Sequence, residues 1–508
     1  MRVLHVGSGF RPWIVNGLVI YAESIMAAQV ERGHEVSYFF PGRHYPFLRR
    51  PRLRRWRRDG VAMYEWVNSP LVVGRVAGVA RPDETLQHAP TEAAFARVLA
   101  HARPDVVHVH DLGGLPSSLV EVAGRAGAAT VMTIHDYFPL CPTVRLYDVD
   151  GHICRRARPG DTCVRCCARA PLDNMEERHM TYWYYRKRLR HGVPGLDALL
   201  RNRVAARVNT KLIELFAERI LVAGSEPAPV APARATASVE AYDRRRAVNV
   251  ERLGAFDLLL PVSQRAAEIY AGLGVGTERM RALTITAEHL ERLRPRRRLE
   301  ASDPLVFGTL NGATSREKGA HVLLDAVRAL DRAGLRGRYR LGVWGRMAPE
   351  VEPHLRDHPS VDWRGDYTSD QLDEILEGVD VGILSSVWEE LYPLVGLEFM
   401  AKGIPLITSP LGGVRAYAHE GETAWLNRSA TGEELARIME AIVREPAQVA
   451  ALGQTVRARR EQLIKPMAEH VREVEAIYEE LAAEQPEELP QALVAGEVGR
   501  GEQPQPRE

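Results

Sequence analysis

The sequence predicts an α/β protein made of two doubly wound domains. Three observations predict this. The chain has 508 residues, which is enough for two domains. In both halves, short apolar segments of strand length alternate with helix patterns, often with a glycine between helix and strand. Residues 291–304, which are rich in arginine and proline, separate the halves and form the best candidate for a linker.

Composition excludes several classes of protein. Hydrophobic residues make up 45% and charged residues 26%, which is ordinary for a globular protein. No apolar run reaches the roughly 18 residues that a membrane-spanning helix needs. The net charge is +1, so no overall field attracts nucleic acid. Residues 1–7 resemble a core strand more than a signal peptide, and we therefore expect a cytoplasmic protein.

The elements follow in order along each half. The first half has candidate strands at 3–6, 37–40, 105–111, 128–134 and 257–263, with a helix at 21–32. The second half has candidate strands at 305–309, 341–345, 361–365, 379–384 and 404–407. The predicted domains cover residues 1–290, with a cysteine-rich and helical insertion at about 141–250, and residues 303–465. A helix at 466–482 follows, and residues 484–508 are expected to be disordered because they are rich in Glu, Pro and Gln.

The most informative segment of the second half is Ser385–Gly413. It follows a buried strand, so its loop lies at the carboxyl edge of the sheet, where ligands bind in α/β folds. Glu390 lies in this loop, and Glu398 lies in the helix that follows. The start of that helix offers free N–H groups to a diphosphate. Lys318 also precedes a helix after a glycine-bearing turn, but a capping or solvated role for all three side chains stays open.

In the first half, a histidine follows one of the predicted strands directly. His135 comes after residues 128–134, with Asp136 beside it as the residue expected to orient it. His110 and Asp111 end the preceding strand and are weaker candidates. A side chain at this position can reach a bound ligand, although a single histidine at a strand end is more often structural.

Two further segments carry chemistry of their own. Cys141, Cys154, Cys163, Cys166 and Cys167 lie close together in sequence. Four thiolates at such spacing can hold a structural zinc ion, but packed thiols or a redox pair remain alternatives.

Residues 49–58 contain seven arginines and one tryptophan. This segment suits an anionic surface such as phosphate or lipid headgroups, and a solvated basic loop is the equal alternative.

Two motifs resemble those of the family 4 glycosyltransferases. The run from Glu390 to Pro405, followed by Gly412 and Gly413, resembles the nucleotide-sugar motif of that family. The sequence TIHDYFPLCP around His135 resembles the family's acceptor-side motif. The resemblance implies a GT-B fold, in which two Rossmann-like domains face each other across a cleft and a terminal helix crosses back to the first domain.

The resemblance also implies roles for individual residues. His135 and Glu390 would be catalytic and contact the donor sugar, and Glu398 would bind the ribose hydroxyls. The remaining donor-binding residues would be Gly17, Asn311, Gly312, Lys318, Leu394 and Val395. The family needs no divalent metal for catalysis, so no metal site is expected in the cleft and no cofactor is required. The zinc ion at the cysteine cluster would be structural.

Several positions depart from the family pattern. Tyr392 and Pro393 replace the usual Phe-Gly pair. Ala313 stands where an arginine usually follows the glycine, and Arg316 is a candidate substitute. These departures motivate an alternative, a degenerate protein that binds a nucleotide sugar without transferring it. The D-x-D sequence at residues 148–150 lies in the cysteine-rich segment and not after a nucleotide-binding strand, so we give it no catalytic role.

The resulting expectation is a retaining, metal-independent hexosyltransferase. Its partners would be a nucleotide-diphosphate sugar and a glycan, lipid-linked or small-molecule acceptor. Residues 49–58 would make peripheral contact with the inner face of the membrane, and no nucleic acid would be bound.

Overall fold

The computed structural model describes residues 1–484 except 12, 15, 46–49, 73–74, 176, 179–180 and 182–236. Residues 182–236 of the predicted insertion and the predicted tail after residue 484 lie outside the described residues. Among the described helices, none is both long enough and apolar enough to cross a membrane.

Two separate sheets confirm the predicted α/β fold with two doubly wound domains. The strands are β1 (Arg2–Val6), β2 (Glu35–Pro41), β3 (Arg52–Arg58), β4 (Val61–Val67), β5 (Val106–Val109), β6 (Ala129–Ile134), β7 (Leu258–Pro261), β8 (Leu305–Leu310), β9 (Tyr339–Trp344), β10 (Val361–Gly365), β11 (Val381–Leu384), β12 (Leu406–Thr408) and β13 (Ala424–Leu426). The N-terminal domain contains the seven-stranded sheet in the order β3-β4-β2-β1-β5-β6-β7, and the C-terminal domain contains the six-stranded sheet in the order β10-β9-β8-β11-β12-β13. All pairings are parallel except that of β3 with β4.

Helices cover the faces of both sheets. They are α1 (Gly17–Glu31), α2 (Ala89–Ala102), α3 (Leu119–Arg125), α4 (Gly160–Cys166), α5 (Val239–Leu253), α6 (Gln264–Gly272), α7 (Glu288–Arg292), α8 (Ala320–Arg332), α9 (Glu352–Leu355), α10 (Leu372–Glu377), α11 (Leu394–Ala401), α12 (Gly432–Arg444), α13 (Ala447–Ala458), α14 (Arg460–Leu463) and α15 (Met467–Glu484). Single 3₁₀ turns occur at Arg75–Ala77, Pro82–Thr85, Ser369–Gln371 and Gly412–Ala416. The inner strands are buried on both faces and therefore consist mostly of apolar residues.

From Arg52 to Arg58 the basic segment is an edge strand and not the solvated loop that was one of its two interpretations. Its arginines pair with β4 in an antiparallel hairpin whose turn is Asp59-Gly60. Both turn residues have positive φ, which this kind of tight turn requires. Charged side chains on such an edge prevent the unpaired backbone groups from recruiting another strand.

The last described helix, α15, packs against the N-terminal domain. Its Glu475 accepts hydrogen bonds from Arg32, and its Tyr478 hydroxyl lies 2.5 Å from Nδ1 of His108. His470 Nε2 lies 2.9 Å from the Tyr21 hydroxyl of α1. These contacts join residues more than 350 positions apart and attach α15 to the N-terminal domain.

Candidate active site

A cleft of about 1080 Å³ contains the predicted site. All of the predicted site residues except Gly312 line it, and both domains contribute to its walls. The N-terminal wall includes Gly17 and His135, and the C-terminal wall includes Lys318, Glu390 and Glu398. The structure therefore brings together side chains that are up to about 380 positions apart in sequence.

The topology of the two sheets explains the position of the cleft. In the first sheet β1 lies between β2 and β5, and in the second β8 lies between β9 and β11. At these two places the chain reverses the direction in which it adds strands, which opens a crevice at the carboxyl ends of the strands. Asn311 follows β8 directly, and the loop with Glu390 follows β11.

Lys318 and Glu390 form an ion pair on the C-terminal wall. The Lys318 Nζ atom donates a hydrogen bond of 2.5 Å to Glu390 Oε1. The Ser386 hydroxyl donates to the other carboxylate oxygen at 3.2 Å. Both charged side chains remain partly exposed to the cleft, so an entering anion can compete with Glu390 for the lysine.

Glu398 is held by a histidine that the sequence did not single out. His289 Nε2, from α7, donates to Glu398 Oε1 at 2.9 Å. The second oxygen, Oε2, is buried and has no hydrogen-bond partner among the described residues. A buried acceptor without a partner is costly, so this atom fits a hydroxyl group of a bound ligand.

Glycines set the backbone next to these side chains. Gly319 has a φ of +83°, and a Cβ on it would lie 1.9 Å from the Ser385 carbonyl oxygen. A Cβ on Gly312 would lie 2.1 Å from Thr309 Oγ1, so this position has no room for a side chain. Asn311 has a φ of 59°, and its Nδ2 donates to the Tyr367 hydroxyl at 3.0 Å. The loops after β8 and β11 approach each other here, so only small or conformationally permissive residues fit.

Leu394 and Val395 begin α11, directly after the loop that carries Glu390. Leu394 also reaches the opposite wall, since a Cβ on Gly17 would lie 3.6 Å from its Cδ1 atom. Gly17 is the first residue of α1, which Asn16 caps by accepting a hydrogen bond from the Val19 N–H. Two helix N-termini, one from each domain, therefore meet at the cleft.

His135 is half-buried in the N-terminal wall, with its ring 4.8 Å from that of Tyr21. Burial, helped by nearby His470, lowers the pKa of His135 to about 3. The imidazole is therefore neutral at neutral pH and is available for hydrogen bonding to a ligand. Its Nε2 atom has no hydrogen-bond partner among the described residues.

Asp136 does not orient His135 as its sequence position suggested. Its Oδ1 accepts a hydrogen bond from the Phe138 N–H at 2.8 Å and thereby shapes the turn after β6. Burial and the neighbouring Asp111 raise the pKa of Asp136 to about 8. Arg316, the candidate substitute for the missing arginine, lies beside Gly151 and is not among the residues that line the cleft.

Buried histidines lie beneath His135. His5, His108 and His110 are close enough to form a metal-ligand group. However, both nitrogens of His5 and both of His108 already have neighbours at hydrogen-bonding distance, which are His110, Gln29, Tyr478 and Thr133. The group is therefore a hydrogen-bonded network between the first sheet and α15.

The described cysteines are all free thiols. Two groups of three metal-ligating side chains in the described part of the chain have ligand atoms within 4.8 Å of one another, and neither includes a cysteine. Tetrahedral zinc requires sulphur atoms about 3.8 Å apart. Among the described residues, no three cysteine sulphur atoms lie within 4.8 Å of one another. A structural zinc ion here stays a prediction from sequence, which metal analysis of the purified protein would test.

Sequence reasoning missed the residues that support the predicted site from a distance. His289 holds Glu398, and Tyr21 packs on His135. The buried carboxylate of Glu389 forms ion pairs with two arginines of the other domain, Arg155 and Arg265. Each of these partners lies more than 100 positions from the motif that it supports, so no local pattern could have identified it.

Comparison with known proteins gives family matches in both domains. The family described as "Glycosyl transferase 4-like domain" matches residues 16–171, and the family described as "Glycosyl transferases group 1" matches residues 304–445. Together these segments cover more than half of the chain.

Two curated relatives carry the name colanic acid biosynthesis glycosyltransferase WcaL. The protein of Escherichia coli K12 is 28% identical over 178 residues, which are 34% of this chain and 43% of the relative. The protein of Salmonella typhimurium LT2 is 26% identical over 178 residues, with the same shares. The chain thus spans less than half the length of the curated relatives it matches.

Solved structures share the fold at low sequence identity. HepE of Anabaena in complex with UDP and glucose has a TM-score of 0.54 and 13% identity, covering 94% of this chain and 99% of that chain. Sucrose-phosphate synthase of Thermosynechococcus elongatus has a TM-score of 0.58 and 15% identity, covering 95% and 99%. With a family match in each domain and this fold, the chain belongs to the family 4 glycosyltransferases of the GT-B fold.

Proposed function

We propose that the protein is a retaining hexosyltransferase that uses a nucleotide-diphosphate sugar. The observation that carries this proposal is the C-terminal cleft wall. There Lys318, Glu390 and the unpartnered oxygen of Glu398 lie at the carboxyl edge of the second sheet. A lysine, a carboxylate and a buried acceptor match the diphosphate, the sugar hydroxyls and the ribose of such a donor.

Each side chain would have a separate task on the donor. Glu398 Oε2 would accept a hydrogen bond from a ribose hydroxyl. The diphosphate would draw Lys318 away from Glu390 and would also contact the N–H groups of Leu394 and Val395 at the start of α11. Glu390, released from the lysine, would accept hydrogen bonds from the sugar. Asn311, Gly312 and Gly17 would shape the space around the diphosphate.

The transfer step would need little help from a protein base. The bond between the anomeric carbon and the diphosphate oxygen breaks while an acceptor hydroxyl oxygen bonds to the same face of that carbon. The acceptor proton passes to the leaving diphosphate oxygen, and the product keeps the donor's configuration. Lys318 and the helix N–H groups would stabilise the developing negative charge without a divalent metal. Neutral His135 would hydrogen-bond the sugar from the opposite domain.

The relatives suggest where to look for the substrates. HepE is solved with UDP and with UDP-glucose, so uridine donors are the first to test. The name of WcaL refers to colanic acid biosynthesis, which favours a glycan or lipid-linked glycan as the acceptor.

We also propose a cytoplasmic location with peripheral contact to the inner face of the membrane through β3. Arg52, Arg55 and Arg57 on this edge strand are exposed and form no ion pair with the described carboxylates. Exposed arginines that are free of counter-charges suit anionic lipid headgroups.

A transfer assay tests the proposed activity. Wild-type protein is incubated with each nucleotide sugar and an acceptor panel, and the anomeric configuration of the product is read by NMR. We expect Glu390→Gln and His135→Ala each to lower kcat by at least about 100-fold. Glu433→Gln on an exposed surface of α12 serves as the matched control. Nucleotide-sugar binding without any transfer by the wild type would instead support the non-catalytic alternative.

A further inference from the structure

We propose that Arg145, Arg155 and Arg265 are positioning residues that hold Lys318 and Glu390 in place from the opposite domain. They do so by binding Glu317 and Glu389, the chain neighbours of the two site residues. We call these three arginines and two glutamates the interdomain clamp. The inference rests on the proposed function, since it concerns the same donor site.

The first part of the clamp lies at Glu389. Arg265 donates from Nη2 to Glu389 Oε1 at 2.6 Å and from Nε to Oε2 at 3.1 Å. Arg155 Nη2 donates to Oε1 at 2.5 Å. The Gly412 N–H donates to Oε2 at 2.7 Å, so each oxygen of the carboxylate accepts two hydrogen bonds. Burial would raise the pKa of Glu389, but the two guanidinium groups outweigh burial and hold this pKa below its ordinary value.

The backbone around Glu390 is also held from the N-terminal domain. The Tyr137 hydroxyl donates to the Glu389 carbonyl oxygen at 2.6 Å, and the Ser263 hydroxyl donates to the Leu391 carbonyl oxygen at 2.8 Å. Tyr137 lies two residues after His135. The loop that carries the catalytic histidine is therefore directly bonded to the loop that carries Glu390.

The second part of the clamp lies at Glu317. Arg145 Nη1 donates to Glu317 Oε1 at 2.6 Å. Arg145 is flanked by Val144 with a φ of 61° and Leu146 with a φ of 49°, a conformation that is strained for both residues. Such strain persists where the surrounding structure enforces it, often at functional sites. Here the strained backbone carries the residue whose guanidinium group binds Glu317 of the other domain.

The two parts meet at the site itself. Glu317 precedes Lys318, Glu389 precedes Glu390, and Lys318 and Glu390 form the 2.5 Å ion pair. None of the five clamp residues is among those that line the cleft. They therefore act on the reaction through their neighbours and not through substrate contact. Since small misplacements of reacting groups slow catalysis strongly, a loosened clamp should lower kcat about 10- to 100-fold.

A charge swap at Arg145 and Glu317 tests the clamp. Arg145→Glu and Glu317→Arg should each lower kcat about 10- to 100-fold, while the dissociation constant for the nucleoside monophosphate, which depends least on Lys318, changes less than about threefold. The double swap should recover most of kcat, because it restores the ion pair with its charges exchanged. Arg281 and Glu480 form a matched control pair that joins α15 to the N-terminal domain, with oxygen to nitrogen distances of 2.8 and 2.9 Å. Swapping that pair should leave kcat unchanged.

Small-angle scattering gives a readout that does not depend on transfer. Each single swap should increase the radius of gyration as the cleft opens, and the double swap should restore it. If both single swaps keep wild-type kcat and wild-type scattering, the clamp is refuted even though Glu390→Gln abolishes transfer. If the wild type transfers no sugar, the proposed function fails, and the scattering series still decides whether the clamp holds the domains together.

Discussion

Lys318 is the residue whose role can be separated most cleanly from that of its neighbours. Its Nζ atom donates to Glu390 Oε1 at 2.5 Å on the cleft wall. Its proposed task concerns the diphosphate alone. The base and the ribose of the donor should therefore not sense its removal.

We predict that Lys318→Met weakens binding of a nucleoside diphosphate about 10- to 100-fold, the value of a hydrogen bond to a charged group. Binding of the matching nucleoside monophosphate should weaken less. Titration calorimetry with UDP and UMP measures both. Lys465 forms a similar 2.5 Å pair with Glu473 outside the cleft, so Lys465→Met is the control. Equal losses for the two nucleotides would contradict the diphosphate role.

At this scale, the sequence could reveal only residues that lie within a local motif. Glu390 and Glu398 are eight positions apart in one strand–loop–helix unit, so their spacing was informative. The partner of Glu398, His289, comes from a short helix 109 positions earlier. Only the packing of α7 against the C-terminal domain brings it there. The unpartnered Oε2 atom of Glu398 likewise becomes visible only in three dimensions.

Among the elements, β3 shows how a local signal can be missed. Its arginines favoured a loop or a surface patch, yet the segment forms a regular hairpin with β4. The Asp59-Gly60 pair between the strands was available as a hairpin signal. A run of charged residues is more typical of a solvated loop than of a strand, so composition alone did not indicate the hairpin.

We predict that replacing Arg52, Arg55 and Arg57 with glutamine weakens binding to vesicles that contain anionic lipid by about 100-fold, at about 1 kcal/mol for each arginine. Vesicle co-sedimentation measures this. The control replaces three exposed arginines elsewhere, Arg332, Arg437 and Arg472, with glutamine. Similar binding by both triple variants would show that β3 makes no specific membrane contact. Binding that does not depend on lipid charge would show the same.

For the whole molecule, the buried histidines link the first sheet to α15. Burial, the largest cause, lowers the pKa of His5 to about 4 and of His470 to about 3, and it also lowers the pKa of His108 and His110 well below the ordinary value. These groups stay neutral in the folded state while the unfolded chain gains protons below about pH 6.5. Stability contributed by their neutral forms is therefore present at neutral pH and decreases as pH falls.

We predict that the free energy of unfolding falls between pH 6.5 and 5 by about 1.4 kcal/mol per pH unit for each such histidine. Asp136, whose pKa is raised to about 8, acts in the opposite direction and offsets one of them. His470→Gln should reduce the slope by about one histidine's share. Urea unfolding at several pH values measures this slope, with exposed His354→Gln as the control. An unchanged slope in His470→Gln would show that His470 is not held neutral.

The two-domain architecture was predictable because the alternation of strands and helices is visible in local sequence patterns. The contacts between the domains were not. Arg155, Arg265 and Glu389 look like ordinary charged residues until the domains are placed together.

The central claim is that the C-terminal wall of the cleft binds a nucleotide-diphosphate sugar. The most direct test is calorimetric binding of UDP, GDP, ADP and their common sugar conjugates to the wild type, Glu398→Ala and the control Glu433→Ala. We predict tight binding of one nucleotide, weakened at least about 10-fold by Glu398→Ala and unchanged by the control. Binding of none of these nucleotides, or equal binding by wild type and Glu398→Ala, would contradict the claim.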